Sequence, residues 1–279
     1  MSESDIALVR PGLRSRPAAY SVIDRCLAIQ NEAVPRGWLA RQLGASPLAP
    51  DARAWFAGAV GELEVARLLD GLDERWTVLH SVPVGKKGAD VDHLLIGPAG
   101  VFPINTKAVR GSVWVGRARI LVDGHRENFV AKSEAEARRV HRALSDATGA
   151  SLFVRPVLVF VDPRRMTVRE LPSSVTVLQA DDLLPWLSDQ EELYPASRVA
   201  ELVDAADRET TWHFPGGPAV DVRRQLQRFE RLRAEVREAD RRRRSARLAG
   251  ALLCVAAVMT TVAIVLPALL LELVDSVMR

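Results

Sequence analysis

Val91-Asp-His-Leu-Leu-Ile-Gly-Pro-Ala-Gly-Val-Phe-Pro-Ile-Asn-Thr-Lys107 is the stretch on which the fold turns. Residues 91–96 read as a strand, Gly97-Pro-Ala-Gly100 as a turn and residues 101–107 as a second strand, together a β-hairpin. The two-residue period of a strand puts Asp90 and Asp92 on one side of the first strand, at its start. It puts Asn105 and Lys107 on one side of the second, at its end. In a hairpin the start of one strand lies beside the end of the next. The four side chains are therefore expected to cluster at one end of a sheet.

Working outward, Asp51 is placed to cap a helix running to about Leu69. Trp55, Ala59, Ala66 and Leu69 fall within roughly 80° of its circumference, a core-facing stripe. Glu62 lies inside that stripe. A carboxylate there is costly unless it is paired, protonated or metal-bound, or reaches solvent at the helix rim. Residues 20–43 read as one or two helices. Residues 75–84 read as a strand ending at Gly85-Lys-Lys-Gly88. Beyond the central hairpin, residues 112–115 and 119–122 form another around Gly116, closed by Asp123-Gly124. A helix is expected from Glu127 to about Thr148, stopped by Gly149. Arg155–Val161 is a nearly continuous apolar run, as in a strand covered on both faces. A short strand at 175–178 and helices at 181–187 and 197–208 complete the pattern. The expected fold class is α/β, a mixed β-sheet flanked by helices.

The far end of the chain differs in kind. Residues 248–271 are 24 residues without a charge. As a helix they extend about 36 Å, enough to cross a ~30 Å hydrocarbon layer with some tilt. Residues 223–247 carry 11 Arg against four acidic residues, a net +7, whereas residues 1–222 carry −3 of the formal total of +3. Basic residues before the span put residues 1–247 in the cytoplasm and a short tail outside. The Arg-rich segment suits an anionic lipid surface better than nucleic acid, because the preceding domain has no basic excess. Val222, Leu226, Phe229, Leu232 and Val236 form a helical stripe there, suited to packing on the domain, lying on the membrane or pairing two copies. Residues 222–271 are thus a candidate route to a homo-oligomer. No signal peptide is read in residues 1–20. The two cysteines, Cys26 and Cys254, make no disulfide framework, which fits a reducing compartment for the soluble part. Only 4 of 38 basic residues are Lys, so Lys107 stands out.

Paired oxygen ligands, a nearby Lys and a further carboxylate suit metal-assisted phosphodiester hydrolysis. Lys would stabilise developing charge or orient the attacking water. Against this, Asp at a strand start is common turn chemistry. His93 is expected to point away from Asp92 in a structural role. Trp76 and Trp114 are expected in the core rather than as base-stacking platforms, and Lys86 and Lys87 in a solvated turn.

The run from Gly61-Glu62 through the 91–102 block to Ile104-Asn-Thr-Lys107 and Gly111 resembles the nuclease-related domain (NERD) family, over about residues 55–190. That family is placed in the PD-(D/E)xK nuclease superfamily. The resemblance implies a restriction-endonuclease-like fold, a Mg2+ or Mn2+ cofactor and a nucleic-acid substrate, in a hydrolase of DNA-processing type. It implies that Glu62 is the helix acid, Asp92 the metal-binding Asp, residue 105 the second acid and Lys107 the catalytic Lys. The metal ligands would be Asp92, Asn105 and Glu62. Position 105 departs from the pattern, since it holds Asn where an acid is expected. An amide oxygen still coordinates a hard cation but brings no charge. Three outcomes are compatible with that change: weak catalysis, compensation by Asp90 or Glu62, or a site kept for binding nucleic acid or a protein. A scaffold that oligomerises through residues 222–271 is a third class of function.

The resulting organisation is a partly helical extension (1–50), a nuclease-related domain (51–190) and a helix with a Pro/Gly linker at Phe214-Pro-Gly-Gly-Pro218 (191–221). A basic amphipathic juxtamembrane helix (222–247), a transmembrane helix (248–271) and a short tail (272–279) follow.

Overall fold

The computed structural model describes residues 12–85, 90–212 and 221–278. Lys86, Lys87 and the Phe214–Pro218 boundary signal lie outside them. The chain divides into two compact units. One comprises residues up to Ala28 with Asp51–Gln225, and the other Ile29–Pro50 with Leu226 onward.

The first unit is built on a five-stranded sheet. Strands β1 (Thr77–Pro83), β2 (Asp90–Gly97) and β3 (Gly100–Ala108) run antiparallel. β3 then pairs in parallel with β7 (Val157–Val161), and β7 with β9 (Thr176–Gln179). The order is β1-β2-β3-β7-β9. All five residues of β7 are buried, as the unbroken apolar run required. A second sheet has the order β6-β5-β4-β8. It comprises β4 (Ser112–Gly116), β5 (Arg119–Val122), β6 (His125–Glu127) and β8 (Arg165–Val168). The β4–β5 hairpin was legible in the sequence. β6 and β8 were not, being three or four residues long with no buried position.

Helices cover both faces of the main sheet. Val65 and Leu69 of α3 (Ala52–Leu69) and Leu183 and Leu187 of α5 (Leu183–Ser188) share a core with Leu95, Phe102, Ile104 and Val157. On the other face, Val140 and Leu144 of α4 (Phe129–Thr148) and Leu202 of α6 (Ala196–Asp207) pack with Leu79, Leu94 and Val101. Two local expectations are corrected. Trp55 is 41% exposed, because the buried face of α3 runs through Ala59, Glu62, Val65, Ala66 and Leu69 instead. Asp51 does precede α3, but its side chain makes no capping hydrogen bond.

In the second unit, α7 (Val222–Val277) is one continuous helix that includes Pro267. The basic segment and the apolar stretch are therefore two parts of one rod. Among the described residues this is the one helix long and apolar enough to cross a membrane. Leu248, Leu252, Leu253, Val255 and Val258 are all exposed. The stripe in the basic part is covered in places, with Phe229 and Leu232 buried. Beside it run the C-terminal end of α1 (Tyr20–Asn31) and the short α2 (Trp38–Gln42). Arg228 donates to Asn31, and Arg36 pairs with Glu235 at 3.6 Å.

Candidate metal centre

The site arises where the central hairpin forks. β2 and β3 stay in register from Gly97↔Gly100 to His93↔Ile104, and their pairing ends there. Beyond that point β2 continues beside β1 as far as Pro83↔Asp90. β3 continues beside β7 from Ile104↔Val157 to Ala108↔Val161. The Asp92 carboxylate bridges the fork, with Oδ2 accepting the Thr106 backbone N–H at 2.5 Å. A side chain thus satisfies a backbone donor that a continuing strand would have taken.

Alternation along the strands fixes the rest. Asp90 and Asp92 fall on the face of β2 that carries Leu94, and Asn105 and Lys107 on the face of β3 that carries Val101. That is the α4 side. Asn105 is buried and its Nδ2 donates to Glu136 Oε2 of α4 at 2.5 Å. Lys107 Nζ donates to the Thr106 carbonyl at 3.0 Å and sits 5.6 Å from the centroid of the Phe129 ring, at the start of α4. Glu62 comes from α3. Its neighbour Gly61 packs so closely on β3 that a Cβ there would lie 2.9 Å from the Ala108 Cβ. Glu62 itself is buried rather than reaching solvent at the helix rim.

The electrostatics tie these groups together. Burial, reinforced by Asp92 and Asp90, holds the Glu62 carboxyl well above the usual carboxylate range, with Lys107 opposing. Burial pushes Asp92 up to about 6, although Lys107 and the Thr106 N–H favour its charged form; Asp90 and Glu136 add to the rise. Burial raises Glu136 too, against the Asn105 hydrogen bond, Lys107 and Arg139. Glu62 from the α3 side and Glu136 from the α4 side thus both feel Asp90, Asp92 and Lys107 between them. Such an excess of negative charge out of water is unfavourable unless protons or a cation neutralise it.

The structure therefore brings Glu62, Asp90, Asp92, Asn105 and Lys107 into one neighbourhood. It adds Glu136, which the sequence reading did not name. The signal was present: Glu136 adjoins Ala137 on the buried stripe Ser133-Ala137-Val140-Leu144 of α4. Among the described residues, no three of His, Cys, Asp or Glu converge tightly enough to hold a metal by themselves. Mg2+ needs fewer, since it is held by one or two carboxylates and keeps several waters. The Asn105 oxygen is a further hard donor, so the donor set fits such an ion.

His93 is fully buried, and its Nδ1 lies 2.8 Å from Nδ1 of His80 on β1, away from the cluster. Burial lowers the pKa of both rings, more strongly for His93, where His80 adds to the effect. Trp76 is half-buried against the core containing Phe102, 6.0 Å away between ring centroids. Trp114 is half-buried over Gly116, beneath the Arg119 guanidinium. A cleft of about 630 Å3, lined by Arg138, His141, Arg142 and Ser174 among others, includes none of the cluster's residues.

Residues 57–161 match the family model of NERD, the nuclease-related domain. The matched segment contains Glu62, Asp92, Asn105, Lys107 and Glu136. It ends with β7, short of the residue 190 suggested by the resemblance. No curated protein matches the chain. One solved structure with a match is SfsA of Pyrococcus furiosus in complex with Ca2+. It is 15% identical, with 54% of this chain and 53% of that one covered and a TM-score of 0.19. The chain thus spans about half the length of that structure, and a superposition so loose fixes neither fold nor site.

Proposed function

We propose that this chain is a membrane-anchored nuclease-related protein that hydrolyses phosphodiester bonds of nucleic acid with Mg2+ or Mn2+. The observation that carries this reading is the forked hairpin. It sets Asp92, Asn105 and Lys107 at one sheet end, with Glu62 arriving from α3, in a segment matching a nuclease-related domain. Asp92, Asn105 and Glu62 would hold the ion. When bound, it polarises a phosphoryl oxygen and eases deprotonation of the attacking water.

The protein's own groups supply the rest. Thr106 N–H occupies Asp92 Oδ2 and fixes that carboxylate, leaving its other oxygen for the ligand. The Lys107 ammonium, held by the Thr106 carbonyl and the Phe129 ring, would stabilise the negative charge that grows on the phosphoryl oxygens. Residues 248–271 would span the bilayer, with the Arg-rich 223–247 segment on its cytoplasmic, anionic surface.

The second reading keeps the fold without turnover, as a module that binds nucleic acid or a protein at the membrane. The uncharged Asn105 favours it. A third reading, a scaffold oligomerising through residues 222–271, rests on the helical stripe of α7 alone. One assay separates the first two. The full chain in detergent micelles is incubated with labelled single- and double-stranded DNA and RNA, in Mg2+, Mn2+ or EDTA, beside Lys107→Ala. The nuclease reading expects metal-dependent cleavage that Lys107→Ala abolishes. Steeply salt-dependent binding without cleavage supports the module.

A further inference from the structure

We propose that Glu136 is a ligand of the divalent-cation site, so that α4 supplies the negative charge that Asn105 does not. This rests on the cation-site reading above. The argument is geometric. Asn105 and Glu136 are side chain to side chain at 2.5 Å, so the Glu136 carboxylate of α4 lies one hydrogen bond from a proposed ligand on β3. An amide that donates through Nδ2 turns its Oδ1 to another direction, free to accept or to coordinate. Glu136 is only half-buried, so water and ions reach it, and Lys107 and Asp90 both act on its charge. A strand amide and a helix carboxylate held together offer two hard oxygens and one negative charge, which a single strand acid would otherwise supply.

Mn2+ binding to the full chain in micelles tests this, read by the paramagnetic resonance of free Mn2+, without substrate. Glu136→Gln keeps the size and hydrogen-bonding capacity beside Asn105 and removes only the charge. It should weaken Mn2+ binding at least roughly 10- to 100-fold, the scale of losing a group that merely supports a metal ligand. Asn105→Asp added to Glu136→Gln should restore most of that loss. Unchanged affinity in Glu136→Gln, with binding still lost in Asp92→Asn, would overturn the role of Glu136 and leave the cation site standing. Absence of Mn2+ binding by the parent protein would overturn the site itself.

A second inference comes from the other unit. We infer that Val34, Trp38, Leu39 and Leu43 lie in the interfacial layer of an anionic bilayer, beside the point where α7 enters it. These four are 89%, 73%, 60% and 57% exposed within ten residues, an apolar patch that water alone does not stabilise. Their place along α7 is fixed. Arg243 Nε donates to the Gly44 carbonyl at 3.1 Å. Gly44, with φ +73°, lies so close to α7 that a Cβ would sit 2.3 Å from the Arg243 nitrogen. Arg243 is five residues before Leu248, about 7.5 Å along the helix axis. The patch is interleaved in sequence with Arg36 and Arg41, which line one cleft with Arg242, Glu235 and Glu238 of α7. Trp and aliphatic side chains edged by Arg are the composition of a helix lying in a headgroup layer.

This inference rests on the membrane anchor. The full chain is reconstituted into phosphatidylglycerol-containing vesicles whose acyl chains are brominated near the headgroup, and tryptophan fluorescence is read. Quenching is expected, and Trp38→Phe should remove its largest share. Equal quenching in parent and Trp38→Phe would overturn the placement. Failure of the chain to enter vesicles would instead count against the anchor.

Discussion

The two ends of one hairpin are built on opposite principles. At the closed end, Gly97↔Gly100 shuts β2 and β3 around Leu95, Phe102 and Ile104, all fully buried. At the open end the same strands part after His93↔Ile104 and expose Asp90, Asp92 and Lys107 to a half-buried space. Apolar burial stabilises the first end. The second carries carboxylates that burial holds above their usual range. A fold keeps such a cluster where the rest of the sheet is stable enough to impose it, and strain of this kind gathers at functional sites.

Breaking the closed end should have the largest effect. Phe102 is fully buried and meets Trp186 edge to face at 5.5 Å between centroids. Phe102→Ala should cost about 3–5 kcal/mol, read as a lower urea midpoint at unchanged slope. Next comes the joint between the ends. Gly61→Val would push α3 off Thr106 and Ala108 and should cost about 1–3 kcal/mol. Its melting temperature and its Mn2+ affinity should fall together, since Glu62 moves with the helix.

The open end should answer with the opposite sign. Glu62→Gln removes a charge that burial disfavours, so the metal-free protein should melt a few degrees higher at neutral pH. The smallest effect is the pH dependence. The folded pKa values of Glu62, Asp92 and Glu136 are raised, so between the ordinary carboxylate range and about 6 for Asp92 the folded state holds more protons than the unfolded one. The contribution of these groups to stability therefore falls as pH rises through that window. In EDTA, going from pH 7 to 5 should stabilise the parent protein relative to Asp92→Asn. Equal slopes in the two proteins would count against the raised carboxylates.

Much of this contrast was legible in the sequence, because strand alternation alone assigns Asp90, Asp92, Asn105 and Lys107 to a shared end. Glu62 could be suspected as a carboxylate on an apolar stripe. Glu136 carries only a weak local signal, its place beside the apolar stripe of α4, and its meaning comes from Asn105, 31 residues away, through a packing of α4 on β3 that periodicity does not reveal. Trp55 was misjudged for a related reason. A helical wheel shows which residues share an arc, not where the sheet ends beneath them. The fork itself depends on β3 finding β7 as a parallel partner, a long-range pairing across α4. The apolar stretch of α7 was plain from composition, but its continuity with the basic segment was not.

The most direct test of the central claim is the thermal stability of Asp92→Asn against the parent protein, in EDTA and again in millimolar Mn2+. If the open end is a cation site, Asp92→Asn melts higher than the parent in EDTA, and the order reverses in Mn2+, because only the parent gains binding energy. Should Asp92→Asn melt lower in both conditions by the same margin, with no response of the parent to Mn2+, Asp92 is a structural bridge to Thr106 and the metal-centre account is wrong.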